Sequence, residues 1–359
     1  MRDKSISMTK GLAIIFMVMV HARFSHNGDV FVNMFHMPLF FFMSGYCFKG
    51  AYLSDFRNYL KKRVKGAYWP YVKWSLLFLL LHNVFYALNI YNGEYGYRGT
   101  VSELYTISDF LKHAAMIVFT MSGGEQLLGG FWFLHTYFIA AIISFITIWL
   151  VKKNIIYLMS GGGILLLLCV LLLYLRLQVP HLIGGKELLA SAIMVWGVAY
   201  KKSRLRIEDY PLVTIPVCFL IVLIGSFIWP CSMLSVTWIK VIPYSFSAIL
   251  GTLMLFSFCK WLYKRNVITQ SLTYIGDKTI DILTWHLLSF KIVSLLIIAV
   301  YKLPMAQLAE YPVIEEYAYQ GFWVLYLIVG VSLSLIIAKL FNYIELGFVK
   351  AFNKNNSQK

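Results

Sequence analysis

The sequence carries little charge and has no long hydrophilic segment. Of its 359 residues only 13% are charged and 60% are hydrophobic, whereas a soluble domain carries about a quarter charged residues. Its longest polar segments, 49–69 and 92–112, have the length of loops between helices and are too short for a folded domain. These two shortages exclude a soluble globular protein and indicate one that lies within a membrane.

Paired cysteines and a cleavable leader are also lacking. The five cysteines, Cys47, Cys169, Cys218, Cys231 and Cys259, stand in or beside apolar segments, and no two are spaced as C-x-x-C. This pattern predicts apolar core residues rather than a disulfide framework or a metal site. The first apolar run passes into the second without a small-residue cleavage site, which indicates a retained span.

Acidic residues are half as frequent as basic ones. The chain has 32 Lys and Arg against 16 Asp and Glu, a net charge of +16. In a soluble protein this excess would suggest a nucleic-acid partner. Here the basic residues stand in short clusters between apolar runs, as topology signals and contacts with anionic lipid headgroups do. We therefore expect a lipid bilayer, and no nucleic acid, as the partner.

Apolar runs recur along almost the whole chain. A spanning helix needs roughly 20 mostly apolar residues. Ten candidate spans lie at about 8–24, 31–48, 68–91, 130–151, 155–175, 186–200, 211–229, 239–261, 279–301 and 321–346. The run 110–121 is too short to cross and predicts an interfacial or re-entrant helix. The predicted fold is all-α integral membrane, with one domain over 1–346 and a short basic cytoplasmic tail over 347–359.

The basic clusters alternate with these ten spans. Lys and Arg precede span one and follow spans two, four, six, eight and ten, whereas the opposite loops hold mainly acidic residues. By the positive-inside rule, both termini are predicted to be cytoplasmic. The alternation also requires an even number of spans.

Histidines within apolar runs are candidate functional groups, because an ionisable side chain in a membrane is costly. His21 lies late in span one, and Lys10 stands almost three turns earlier on the same helix face, about 16 Å away along the axis. The two could serve the two ends of one long substrate. Alternatively, Lys10 only snorkels and His21 is structural. For His82 and His135 we favour hydrogen bonds to a neighbouring helix.

A dense basic cluster stands where span three begins. Arg63 and Lys65 follow Lys61 and Lys62 and precede Pro70. Such a cluster can bind a phosphorylated ligand, or it can serve topology alone. The spacing does not separate these two roles.

The order of these features resembles the acyltransferase-3 family of membrane acyltransferases over nearly the whole chain. Family members carry a basic residue, ten further residues and a histidine in the first span, as Lys10 and His21 do here. A Pro-Leu-Phe-Phe-x-x-Ser-Gly-Tyr motif follows at 38–46, preceded by Phe35-His36-Met37. The remaining landmarks are the basic pair at 63–65 before a proline, Trp-Phe-Leu at 132–134 and the Tyr-Ile-Gly…His segment at 274–286.

The chain departs from the family pattern at three positions. Lys10 and Lys65 stand where arginine is frequent, which keeps the charge but loses the planar fork that binds phosphate in a bidentate way. Ser7 stands where many members have aspartate. The histidine at position 21 is intact.

The resemblance implies a membrane O-acyltransferase that transfers acetyl from acetyl-CoA to a hydroxyl of a cell-surface carbohydrate or glycolipid. It implies acetyl-CoA as a donor substrate, no bound cofactor and a bacterial plasma (inner) membrane. His21 would be the general base, and Lys10, Arg63 and Lys65 would bind the CoA phosphates. Further residues would orient a substrate or serve the structure: His36, Ser44, Tyr46 and His286. For Ser44, beside Gly45, we favour helix packing.

Other interpretations stay open. A transporter or flippase of an envelope glycan precursor would also need many spans and buried polar groups, although the two halves show no repeat. A family-like protein without catalysis would bind or assemble envelope components. An acyl-histidine relay is an alternative to base catalysis, and a homo-oligomer is an option.

Overall fold

Helices make up the regular structure of this chain. The structure, a computed structural model, describes residues 3–97, 103–151, 154–178, 183–266 and 268–356, and these residues contain no extended β-strand. Their α-helices are α1 (Lys4–His21), α2 (His26–Asn33), α3 (His36–Tyr46), α4 (Phe56–Arg63), α5 (Trp69–Leu80), α6 (His82–Ala87), α7 (Ile107–Thr120), α8 (Trp132–Leu150), α9 (Ile155–Leu175), α10 (Gly185–Ser203), α11 (Pro211–Ile228), α12 (Val241–Lys264), α13 (Thr269–Asp277), α14 (Thr279–Tyr301), α15 (Glu315–Tyr317) and α16 (Trp323–Asn356).

Shorter helical turns join several of these helices. Four are 3-10 turns, at Gly50–Ser54, Gln126–Phe131, Ile207–Asp209 and Met305–Ala309. Two are π-helical turns, at Val64–Tyr68 and Ala318–Phe322. The first π turn leads from α4 into α5, and the second leads into α16.

Seven helical segments of the described chain are long and apolar enough to cross a bilayer. They are Lys4–His21, Gln126–Leu150, Ile155–Leu175, Pro211–Ile228, Val241–Lys264, Thr279–Tyr301 and Glu315–Glu345. The prediction of an all-helical, multi-pass membrane protein is confirmed. The count of ten spans, the cytoplasmic termini and the boundary near 346 stay predictions; the backbone of α16 is helical up to Asn356.

The three other predicted spans take different forms. The run 31–48 is broken between α2 and α3, because Pro38 has no N–H for the Met34 carbonyl and its ring clashes there. The run 68–91 is divided at Leu81, between α5 and α6. The run 186–200 lies within α10, which has spanning length but carries charged residues at both ends.

The predicted short helix near 110–121 is α7. It has 14 residues, so it is about 21 Å long and falls short of a hydrocarbon core about 30 Å thick. Thr106 and Asp109 form a capping box that fixes its start, and the helix packs against α5. Its depth in the membrane stays a prediction.

Two glycine crossings bring helix backbones into direct contact. A β-carbon at Gly45 of α3 would clash with the Met194 carbonyl oxygen of α10. A β-carbon at Gly276 of α13 would clash with the Ser7 carbonyl oxygen of α1, where the Ser7 hydroxyl donates to Asp277 Oδ1 at 2.8 Å. Small residues at such crossings let helices approach closely without a large apolar interface.

The buried apolar side chains form two large clusters that meet at an aromatic seam. One cluster is centred on α3, α8, α10 and α12, and the other on α5, α14 and α16. Phe40, Trp132 and Phe133 pack against both clusters. The cavities described below open along this seam.

Candidate active site

His21 and His286 are brought together from α1 and α14. His21 Nδ1 lies 2.7 Å from His286 Nε2, and the two rings lie edge to edge in nearly parallel planes, with centroids 5.0 Å apart and an interplanar angle of 12°. His286 is fully buried, whereas His21 is partly exposed at the last residue of α1. The two imidazoles therefore form one hydrogen-bonded unit with His21 at its accessible side.

The hydrogen-bond partners assign the tautomers of this pair. His286 Nδ1 lies 3.0 Å from the Ile282 carbonyl oxygen and 3.1 Å from that of Leu283. Carbonyl oxygens only accept, so Nδ1 of His286 carries the hydrogen and its Nε2 is the acceptor in the neutral ring. His21 must then donate from Nδ1. Its own Nε2 is left with a lone pair, which is what a general base needs.

A small cavity of about 70 Å³ lies against His21. His36, Asn33, Trp132 and Met233 also line it. His36 is buried and its Nδ1 donates to the Val32 carbonyl oxygen at 2.8 Å, so its Nε2 also has a lone pair. His21 and His36 thus belong to one site at the C-terminal end of α1.

A much larger cavity, of about 1050 Å³, lies at the N-terminal end of α1. Its lining includes one acidic residue, Asp3, and five basic residues. The five are Lys10, Lys49, Lys62, Arg63 and Lys201. We call it the basic cavity. Its volume and its charge suit an extended ligand that carries several phosphates.

Lys10 and Arg63 meet in this basic cavity, but Lys65 stands apart. Lys65 is exposed on the π turn Val64–Tyr68 and is not among the lining residues in the described part of the chain. The structure therefore groups two of the three predicted phosphate-binding residues, and a donor-binding role for each remains a prediction.

Tyr137 of α8 fixes Arg63 in the basic cavity. The Arg63 guanidinium donates to the Tyr137 hydroxyl and lies over the Tyr59 ring, 4.7 Å from its centroid. The Tyr137 hydroxyl also lies 3.0 Å from Ser44 Oγ. The Tyr137 hydroxyl thus contacts both Arg63 and Ser44, and it fixes the orientation of the Arg63 guanidinium at the cavity wall.

An aromatic layer, Phe40 and Phe133, lines the basic cavity but not the small cavity beside His21. Phe40 and Phe133 line the basic cavity, with ring centroids 5.5 Å apart. The neighbouring Trp132 lines the small cavity instead. Trp132 and Phe133, which are consecutive at the start of α8, thus line different cavities.

The model of the acyltransferase-3 family, described as an acyltransferase domain, matches residues 3–339. The chain belongs to the acyltransferase-3 family. The match covers both cavities, the aromatic layer and the His21–His286 pair. No curated protein and no solved structure matches the chain. The protein is thus a multi-pass membrane protein with an acyltransferase domain.

Some of the family motif residues in this acyltransferase lie at helix crossings, and others line the cavities. Gly45 and Gly276 serve helix crossings, whereas Ser44 and Tyr46 line the basic cavity, and the roles of Ser44 and Tyr46 stay predictions. Tyr46 accepts from Arg206 Nη1 at 3.3 Å. Neither Ser44 nor Tyr46 lines the small cavity beside His21. Any substrate that they orient would therefore be in the basic cavity.

Two residues of the candidate site were not predicted from the sequence, Tyr137 and Glu125. Tyr137 lies in predicted span four, where its phenol hydroxyl needs a polar partner, and this need could have indicated it. Glu125 is an acidic residue that precedes the same span, and it is 2% exposed. No group of three or more His, Cys, Asp or Glu suited to a metal occurs among the described residues.

Proposed function

We propose that this acyltransferase transfers acetyl from acetyl-CoA to a hydroxyl of a cell-surface carbohydrate or envelope glycan precursor, in a bacterial plasma membrane. One observation carries the proposal: the His21–His286 pair leaves His21 Nε2 as a free base at the far end of α1 from the basic cavity. An alcohol attacks a thioester poorly unless a base takes its proton.

The basic cavity supplies the donor site. Lys10, Arg63 and the three further lysines would bind the phosphates of CoA at the cytoplasmic surface. Arg63, held by Tyr137 and Tyr59, offers its planar face and the remaining donors of its fork. The excess of positive charge favours a polyanionic donor over a neutral one.

The pantetheine arm connects the two ends of the site. Lys10 and His21 are about 16 Å apart along α1, and we expect Phe40 and Phe133, which line the basic cavity, to bound the route between the cavities. The arm would displace these two rings to carry the thioester toward His21. The acceptor would then approach from the side opposite to the basic cavity, where the small cavity lies.

The chemical step uses the tautomers of the pair. His21 Nε2 takes the proton of the acceptor hydroxyl as its oxygen attacks the thioester carbonyl carbon. The tetrahedral intermediate expels CoA as the C–S bond breaks, and the new imidazolium of His21 returns the proton to the sulfur. His286 Nε2 accepts from His21 Nδ1 throughout and holds the ring in its reactive orientation.

Turnover of labelled acetyl-CoA tests this function. Full-length protein in detergent, with envelope glycans as acceptor, should release CoA and label the glycan. His21→Ala should lower transfer by roughly 10²- to 10⁴-fold, the range of general base catalysis, while CoA binding and monodispersity persist. Near-normal transfer by His21→Ala would overturn the base. Glycan movement across vesicles without turnover would favour the flippase, and acetyl trapped on His21 would favour the relay.

A further inference from the structure

Two more cavities adjoin the small cavity beside His21. One, of about 370 Å³, shares Trp132 with it. The other, of about 320 Å³, shares Met233 and Leu234 with it. His135 and Lys186 line both of these additional cavities. Three cavities therefore meet around the starts of α8 and α10, away from the basic cavity.

We infer that the 370 Å³ cavity, bounded by Trp132, His135, Lys186 and Glu125, binds a neutral hexose-sized unit of the acceptor glycan. The inference rests on the proposed function and specifies its acceptor side. We call this cavity the acceptor subsite. It shares Trp132 with the small cavity that His21 lines.

Glu125 supplies the acceptor side of the acceptor subsite. Its Oε2 lies 2.9 Å from His82 Nδ1, and His82 Nε2 donates to the Glu103 carbonyl oxygen at 3.0 Å. Its Oε1 is buried and has no partner at hydrogen-bond geometry in the described part of the chain, although the Tyr91 hydroxyl interacts with the same carboxyl. Whether His82 or Glu125 holds their shared proton, Oε1 is an acceptor. An unmet buried acceptor is costly, and a ligand hydroxyl would satisfy it.

Glu187, the other buried carboxylate nearby, is already fully bonded. Its Oε1 accepts from Thr136 Oγ1 at 2.8 Å, and its Oε2 accepts from the Gly184 N–H at 2.9 Å. It also lies 3.5 Å from His135 Nδ1 and 3.7 Å from Lys186 Nζ. Glu187 is therefore a positioning residue that holds the two basic side chains of the acceptor subsite.

The charges of the acceptor subsite favour a neutral ligand. Lys186 is opposed by Glu187, and Glu125 shares a proton with His82, so each charge has a compensating partner. The basic cavity has instead five basic residues against one acidic residue. The two regions therefore suit ligands of different charge, a polyanion in one and an uncharged molecule in the other.

The walls of the acceptor subsite match the two faces of a pyranose ring. Trp132 presents a flat apolar surface against which the C–H face of a sugar packs, and the nearly buried Tyr71 and Phe131 complete that wall. Glu125, His135 and Lys186 present acceptors and donors for its hydroxyls. A volume of about 370 Å³ lies in the usual range of ligand sites, roughly 300–1,000 Å³.

Ligand-observed NMR on the full chain in nanodiscs tests the subsite, with methyl glucoside as the neutral probe and methyl glucuronide as the anionic probe. Wild type should bind the glucoside more tightly than the glucuronide. Glu125→Leu and Trp132→Ala should each weaken glucoside binding by about tenfold, the effect of losing a hydrogen bond or stacking surface. Glu94→Leu, at an exposed residue outside the subsite, is the matched control.

The outcomes separate this inference from the proposed function. Acetyl-CoA binding should persist in Glu125→Leu and Trp132→Ala, which shows that they fold. Equal glucoside binding by Glu125→Leu and wild type, or displacement of the glucoside by CoA, would overturn the subsite. Absence of acetyl transfer, with glucoside binding that depends on Glu125, would reject the proposed function and leave the subsite standing.

Discussion

His21 Nδ1 lies 2.7 Å from His286 Nε2, although the two residues are 265 positions apart in the chain. The backbone carbonyls of α14 hold the proton on His286 Nδ1. His286 Nε2 is therefore the acceptor, and His21 must carry its hydrogen on Nδ1. The buried helix α14 thus determines the tautomer of the accessible His21 imidazole. In the proposed mechanism the buried histidine would take the place that a carboxylate occupies in a catalytic triad, without adding a charge within the membrane.

Replacement of His286 tests whether it determines the tautomer of His21. His286→Leu removes the acceptor for His21 Nδ1–H and should lower kcat by about 10- to 100-fold, the cost of a lost hydrogen bond to a group that becomes charged. KM for acetyl-CoA should hardly change, because His286 does not line the basic cavity. His286→Gln keeps an acceptor and should retain more activity. Equal kcat values for the two variants, from steady-state CoA release, would contradict the tautomer assignment.

Lys10 and Lys65 provide a matched comparison for donor binding. Lys10 lines the basic cavity, whereas Lys65 is exposed outside the described lining. Lys10→Ala should raise KM for acetyl-CoA by about tenfold through loss of a charge-assisted contact to phosphate. Lys65→Ala should have a smaller effect, because solvent screens an exposed charge. The prediction fails if the two variants raise KM equally.

Phe133 should control access of water to the thioester. Its ring and that of Phe40 line the basic cavity, and its neighbour Trp132 lines the small cavity beside His21, so we expect the two rings to bound the route between the cavities. Phe133→Ala opens this layer, so acetyl-CoA hydrolysis without acceptor should rise several-fold, since water exclusion suppresses such side reactions. Phe133→Leu keeps more of the side-chain volume, so it should hydrolyse acetyl-CoA less than Phe133→Ala does. CoA release in the absence of glycan measures both variants, and unchanged hydrolysis in Phe133→Ala would exclude a barrier role.

The sequence predicts features carried by one helix better than features that join distant helices. The shared face of Lys10 and His21 follows from helical periodicity, yet only the packing of α3 and α8 shows that they line separate cavities. The break in the run 31–48 was predictable from Pro38. The pairing of His21 with His286, and of Glu125 with His82, depends on three-dimensional packing, and no spacing in the sequence encodes it.

Gly45 and Gly163 differ in what surrounds them. Gly45 is required at a helix crossing, whereas Gly163 is an ordinary helical glycine. A β-carbon at Gly45 would clash with the Met194 carbonyl oxygen, whereas one at Gly163 of α9 would meet no atom within 4 Å among the described residues. Gly45→Ala should destabilise the protein by about 1–3 kcal/mol, as overpacking does, and should also displace Ser44 in the basic cavity. Gly163→Ala should leave stability unchanged or raise it by up to about 1 kcal/mol.

Thermal unfolding in detergent, followed by fluorescence-detected size exclusion, measures both glycine variants. Gly45→Ala should lower the midpoint and raise KM for acetyl-CoA, because α3 carries Ser44 and Tyr46 into the basic cavity wall. Gly163→Ala should keep both values near those of the wild type. A Gly45→Ala protein with an unchanged midpoint would show that α3 and α10 can separate without cost. The close crossing would then not be what positions the donor cavity.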